Sequence, residues 1–381
     1  MTREAPDRLR SPSRIVVRGT NWVGDTIISL PAAKRLRAVF PDSSITFWVK
    51  ESLAPLARTA GVADEVLSFS DKSGGAVSRC LTMSHALRAG RFDMAVLFQN
   101  AFESAFTAWL ARIPLRIGYP TDVRGPLLSL RVPLRKELTL RHQVWYYLAI
   151  TDFLRERFAG RGPDVQAVPD CTMALDRAHV TDARDLSAGL GIDLSRPLFC
   201  LCPGSANSEA KRWSPDYFAR LADLLIERMG VGVAFVGSPG ERALIERIQS
   251  HMRTQGSVSL AGRTDMVTAM AIMGLSCMVI SNDTGSAHLA VAASVPVLTI
   301  FGPTVAGATA PFGPTAHIVQ GEAPCAPCRH FRCPRTDHLC MRSLEPSRVF
   351  GKVEEILSGQ VVAKSLPGET LYQKVLRGKP F

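Results

Sequence analysis

The 381-residue sequence contains neither Gly-x-Gly-x-x-Gly nor a Walker A segment. Those glycine-rich turns grip phosphate in dinucleotide-dependent oxidoreductases and P-loop kinases, so their absence argues against both classes. No Asp-x-Asp occurs either. A divalent cation clamped by paired carboxylates at a diphosphate is therefore not expected, and no cofactor is required. A leaving diphosphate would depend on helix N-termini and a lysine. The longest apolar runs are Ala269–Ile280 and Leu289–Gly302, the second broken by Ser294 and Pro296. Both are shorter than the roughly 20 residues of a spanning helix. Residues Met1–Arg14 are charged and lack the apolar centre of a secretory signal, so a cytoplasmic location is expected. Zinc-finger spacing, RNP-like aromatics and compact Lys/Arg blocks are also missing, which leaves no case for nucleic acid.

Hydrophobic residues make up 46% and charged residues 21%, the balance of a globular chain. The length suits two domains. Lys and Arg total 45 against 34 Asp and Glu, a formal charge of +11. That excess favours anionic partners. Because the basic residues are scattered, a phosphorylated substrate or an anionic lipid surface fits best. Nine cysteines in a cytosolic chain should be thiols.

The sequence reads as α/β, with short apolar strands alternating with helical segments, as in parallel βαβ units. In the first half Ile15–Arg18, Ser44–Val49, Glu65–Phe69 and Met94–Phe98 read as strands. Segments 25–40, Ser78–Ala89 and Phe102–Ala111 read as helices. The second half restarts at Pro197–Leu201. Helix Pro215–Met229, strand Val231–Val236, helix Gly240–Ser250, strands Val279–Ser281 and Val297–Phe301 and a last helix Pro346–Leu357 follow. The stretch from Ala159 to Asp193 has little periodicity and is expected to be the linker. Two doubly wound domains facing across a crevice follow, and ligands in such sheets sit beyond the strand carboxyl ends.

Four strand-to-helix turns carry polar chemistry. In Gly19-Thr-Asn-Trp-Val-Gly-Asp25, Gly24 allows close approach, and Asp25 is either a helix N-cap or a general base kept ionised by the helix start. In Pro203-Gly-Ser-Ala-Asn-Ser-Glu-Ala-Lys-Arg-Trp213, Ser205 or Ser208 and Lys211 fit an anion loop, unless Lys-Arg is merely solvated. Trp213 is expected in the core. Glu241 of Gly237-Ser-Pro-Gly-Glu241 is either a first-turn carboxylate or a ribose ligand. Ser281-Asn-Asp-Thr-Gly-Ser286 opens a helix carrying His288. Asp283 suits a sugar hydroxyl there, and Thr284, Gly285 and Ser286 suit a phosphate.

Taken in order, these turns resemble the ADP-heptose:lipopolysaccharide heptosyltransferases, a family of GT-B glycosyltransferases. Arg116-Ile-Gly-Tyr119, Arg124-Gly-Pro-Leu-Leu128 and Phe301-Gly-Pro-Thr304 add to the likeness, which spans most of the chain. The resemblance implies inverting transfer of heptose from ADP-heptose to the lipid A–Kdo inner core of lipopolysaccharide, with the protein peripheral at the inner membrane face. It makes Asp25 the base and Lys211 the stabiliser of the departing diphosphate. Glu241 becomes the ribose contact, and Asp283, Thr284, Gly285 and His288 the loop holding heptose and phosphates. An acidic acceptor would favour Arg112, Arg116, Arg124 and Arg141, each of which could instead be plain surface charge. The implied layout is a flexible 1–14, an acceptor domain 15–175, a donor domain 190–345 and a C-terminal helix and tail 346–381. The alternatives are another acceptor or nucleotide sugar on the same fold, or a non-catalytic nucleotide-sugar-binding protein.

Cys325-x2-Cys328-x4-Cys333-x6-Cys340 is a separate feature. It is read either as a structural zinc knuckle or as a thiol-lined loop without metal, bracing the fold in both cases.

Overall fold

Every residue of Leu198-Phe-Cys-Leu-Cys202 is buried, as happens in a strand whose sheet is covered on both faces. Such strands form the middle of both sheets in the computed structural model, which describes residues 10–70, 75–160, 168–206 and 208–363. The chain forms two units, Met1–Cys171 and Thr172–Phe381.

In the first unit β1 (Arg14–Arg18), β2 (Ser44–Lys50), β3 (Glu65–Phe69), β4 (Met94–Leu97), β5 (Leu115–Gly118) and β6 (Leu130–Arg131) form one parallel sheet. Its order is β3-β2-β1-β4-β5-β6. In the second unit β7 (Leu198–Cys202), β8 (Gly232–Phe235), β9 (Val258–Ser259), β10 (Met278–Asn282), β11 (Val297–Phe301) and β12 (Ala316–Gln320) form another, ordered β12-β11-β10-β7-β8-β9. Counted from its own first strand, each sheet has the same doubly wound order. The direction of winding reverses between β1 and β4 and again between β7 and β10, the switch points where such sheets bind ligands.

The segment expected as one helix over 25–40 is two, Val23–Ile28 and Leu30–Val39. Pro31 lacks the N–H that would continue the first ladder, and the Ser29 hydroxyl donates to Thr26 O at 2.9 Å. Trp22 occupies the N-cap position and Asp25 is the third helical residue, so the capping role considered for Asp25 does not hold.

The expected linker contains a helix, Arg177–Gly189, capped by the Asp176 carboxylate accepting from His179 N at 2.8 Å. Its buried face is built from small residues, Ala183 and Ser187, and leaves no apolar stripe in the sequence. Residues 12–14, expected to be flexible, are anchored. Ser13 N and Arg14 N donate to Asp93 Oδ2 at 2.8 Å, and the Ser43 hydroxyl donates to Pro12 O. The last helix runs on to Ala363. Residues 1–9 and the tail beyond 363 lie outside the described residues.

Trp213 is in the core as expected. It is 1% exposed, stacks edge-on against Phe218 and donates its indole N–H to Leu344 O at 2.9 Å.

Candidate functional site

At the switch point of the second sheet, β7 runs into the Pro203–Trp213 turn and β10 into Asp283. Asn282, fully buried, fastens the two. Its amide donates to Pro203 O at 2.7 Å, and its side-chain oxygen accepts from Trp213 N at 3.1 Å. Next to this clamp the Asp283 carboxylate, 6% exposed, receives the Lys211 ammonium at 2.7 Å and the Thr304 hydroxyl at 2.7 Å. Lys211 itself keeps 27% of its side chain exposed, so the ammonium is held in place yet remains reachable.

Thr284 is the extended N-cap residue of helix Gly285–Ala292. Ala287 N turns back to Thr284 O at 3.2 Å, whereas the N–H groups of Gly285 and Ser286 precede any helical carbonyl partner, an arrangement that suits an anion. His288 lies buried one turn further on.

Glu241 closes the other side of the turn. One carboxylate oxygen accepts from Ser238 N at 2.7 Å and from the Ser238 hydroxyl at 2.9 Å. The carboxylate lies directly against Gly204, where an added Cβ would stand 1.7 Å from Glu241 Oε1. A side chain at 204 would have to displace that carboxylate. The Glu241 side chain thus acts as the first-turn cap and also borders the Pro203 turn.

Of the two serine candidates, Ser208 gives its hydroxyl to Phe331 O at 3.1 Å. Ser205 sits buried at the start of the turn, its carbonyl taking Arg212 Nη2 at 3.0 Å. Arg212 is therefore an internal tie, whereas Lys211 faces Asp283.

In the first unit the Gly19–Asp25 turn leaves β1 at the corresponding switch point. Arg18, 4% exposed, donates to Gly19 O at 2.6 Å and to Asn21 Oδ1 at 2.8 Å. Its guanidinium lies 5.0 Å from the Trp48 ring centre and 4.9 Å from that of Phe69. Gly19 is pressed against β2, since an added Cβ would meet Val49 Cγ1 at 2.8 Å. Asp25 is half-buried beside helix Gln143–Leu154. Burial first, and the Asp25 charge second, push the Tyr147 hydroxyl well above its ordinary range. A cavity of about 270 Å³ lined by Arg18, Asn21, Lys50, Arg79 and Glu103, among others, adjoins this turn. Arg18, Lys50 and Arg79 were not singled out in the sequence, because they stand 29 or more residues apart and form no run.

The expected acceptor arginines fare differently. Arg124 is fully buried. It donates to Tyr119 O at 2.8 Å, Asn100 Oδ1 at 3.0 Å, Ser104 Oγ at 3.2 Å and Gln99 O, and burial lowers its pKa to about 10. It braces the interior and is not available to an acceptor. Arg116 likewise turns inward, to Leu127 O at 2.7 Å and the carbonyls of Ile113 and Pro114. Arg112 and Arg141 are exposed, the latter 4.3 Å above the Trp145 ring.

The four clustered cysteines line one cavity of about 200 Å³ beside Ala210. Among the described residues no three His, Cys, Asp or Glu side chains already stand in a metal-holding arrangement.

Residues 80–338 match the model of glycosyltransferase family 9 (heptosyltransferase). The chain belongs to this family. It is thus a glycosyltransferase, with the two-sheet GT-B fold. The lipooligosaccharide heptosyltransferase 2 of Haemophilus ducreyi is 26% identical, covering 91% of this chain and 99% of the relative. The lipopolysaccharide heptosyltransferase 2 of Salmonella typhimurium is 25% identical, covering 92% and 100%. Among solved structures, the ADP-heptose LPS heptosyltransferase II of E. coli superposes with a TM-score of 0.77 at 24% identity, over 91% of this chain and 99% of that one. The E. coli heptosyltransferase WaaC with ADP-2-deoxy-2-fluoro heptose reaches 0.66 at 16% identity, over 90% and 99%.

Proposed function

We propose that the protein transfers heptose from ADP-heptose to the inner core of lipopolysaccharide, with inversion at the anomeric carbon. The observation that carries this reading is the second unit's switch point. There a reachable lysine, a buried aspartate and an open helix start lie together around Lys211, Asp283 and Gly285. Lys211 and the helix N–H groups match the charge that develops on a departing diphosphate. Asp283 and Thr284 suit the sugar, and Glu241 beside Gly204 suits the ribose.

Asp25 is the proposed base. It removes the proton from the acceptor hydroxyl as that oxygen bonds to the anomeric carbon, while the bond from that carbon to the diphosphate oxygen breaks and ADP leaves. Its place in the first helical turn favours the ionised form that a base needs. Arg18, Lys50 and Arg79 supply positive charge for an anionic acceptor in the cavity beside the same turn.

Among the described residues no helix is long and apolar enough to cross a membrane. Engagement of the lipid acceptor is proposed to be peripheral, through the basic cavity beside the Asp25 turn. Incubation with ADP-heptose and heptose-deficient core acceptors, followed by mass spectrometry of the lipid, tests the assignment. Gain of one heptose is expected. Release of ADP without sugar transfer, or no turnover with any heptose-deficient acceptor, refutes it.

A further inference from the structure

Between β12 and a short helix, Leu339–Arg342, the chain runs through residues 321–338 without helix or strand. Irregular loops beyond about 12–15 residues are uncommon in compact domains unless they are functional or held in place. Arg329 and His338 adopt left-handed backbone at φ 58° and 46°, a conformation that non-glycine residues keep only where surrounding contacts impose it.

Cys325, Cys328, Cys333 and Cys340, with His330 and His338, surround the loop's cavity. The remaining thiols, such as Cys200 and Cys277, are buried in the body of the protein. Each cysteine sulfur is placed by a single torsion with three staggered positions. Four thiols and two imidazoles line one cavity, and ligation requires the sulfurs to draw together from their present positions. Four thiolates are a complete tetrahedral set for zinc. Ligation would release four protons and leave a net charge of two minus, beside an Arg335 guanidinium that is paired with Asp337 at 2.6 Å.

The same loop is wired to the lysine turn. Phe331 O accepts from Ala210 N at 3.1 Å and from the Ser208 hydroxyl at 3.1 Å, and His338 Nε2 lies 2.8 Å from Ala210 O. Pro303 lines the cavity, and its neighbour Thr304 holds Asp283. We infer that the four cysteines bind one zinc ion, and that this ion, by fixing the loop against Ala210, positions Lys211 for the diphosphate. The positioning half rests on the donor-site reading above; the metal half does not.

The test begins with metal analysis of the full chain purified after zinc supplementation. One zinc per chain is expected, lost in the Cys325→Ser/Cys328→Ser double variant. Cobalt replacement should give a thiolate-to-metal absorption band. ADP affinity should fall at least roughly five-fold on chelation, the lower end of ordinary coupling between sites, and return with added zinc. Chelation of the unaltered protein keeps the test valid should the double variant not fold. Absence of zinc after reconstitution, zinc retained by the double variant, or iron in its place overturns the site. Bound zinc with ADP affinity indifferent to chelation overturns the positioning role. Metal counting uses neither donor nor acceptor. Failure of ADP to bind the zinc-loaded protein would therefore count against the proposed function alone.

Discussion

Lys211 and Asp283 form an ion pair that a diphosphate must disturb, and neutralising Asp283 should therefore separate two effects. At 2.7 Å the gross attraction at an effective dielectric of about 20 is roughly 6 kcal/mol. Desolvation of the buried carboxylate offsets most of it. The lysine is also partly exposed, so a net value of about 1 kcal/mol is reasonable. Asp283→Asn keeps the side-chain shape and an acceptor for the Thr304 hydroxyl while releasing the ammonium. ADP, which carries no sugar, should then bind about five-fold tighter, the equivalent of about 1 kcal/mol. ADP-heptose should bind more weakly than to the unaltered protein. Its sugar loses a hydrogen bond to a charged group, worth about 1.5–3 kcal/mol. Lys211→Ala should weaken both ligands and lower the transfer rate by about 10²–10³-fold, as expected for removal of one donor to a developing anion. Isothermal titration with both ligands, followed by initial rates, measures all of this. If Asp283→Asn binds ADP more weakly than the unaltered protein, the competition between carboxylate and diphosphate for Lys211 is wrong.

Asp25→Asn should abolish transfer and leave ADP affinity unchanged, because a base acts only as the acceptor reacts; transfer within ten-fold of the unaltered rate would remove the assignment. Gly204→Ala should drive a methyl group into the Glu241 carboxylate, weakening ADP binding in titration. A full-affinity variant would show that the carboxylate can move aside without consequence. Arg124→Met should lower stability by about 3 kcal/mol, through buried carbonyls left without a donor, and denaturant midpoints check this. For Asp223, burial raises the pKa, but hydrogen bonds from Thr254 and Arg253 outweigh it and the net shift is downward from 3.8. Its contribution to stability is therefore complete above 3.8 and lost as pH falls through the lower folded value. The stability gap between the unaltered protein and Asp223→Asn should be constant from neutral pH to about 4 and narrow below 3.8.

The strands that form the switch points were legible in the sequence because they are short apolar runs beside glycine-containing turns; Val297–Phe301 and helix Pro215–Met229 match their expected bounds. The edge strand Glu65–Phe69 was legible too, but the shortest edge strands were not. Leu130–Arg131 and Val258–Ser259 are two residues each, too short to show any period. Helix Arg177–Gly189 escaped notice because alanine and serine form its buried face. The polar turns pointed to Lys211 and Asp283 separately, but nothing in spacing alone reveals that one holds the other, since 72 residues separate them. Arginine type was equally uninformative. Arg124 and Arg18 look alike in sequence and both are buried and tied to carbonyls, yet only Arg18 lines a cavity, and only the packed structure tells them apart.

The repeated strand order has a consequence for how each site comes into being. At both reversals the paired strands join residues 79 apart, Ile15 with Met94 and Phe199 with Met278. Pairings so distant in the chain close late, since loop entropy is lost before they gain anything. In the carboxy-terminal unit the β7–β8–β9 half-sheet has all its residues by Ser259, whereas Asn282 ends the strand that completes the crossing and Asp283 follows it directly. A nascent chain halted near residue 260 would therefore own the lysine turn without its aspartate partner. Nucleotide capture during synthesis would accordingly report closure of the sheet.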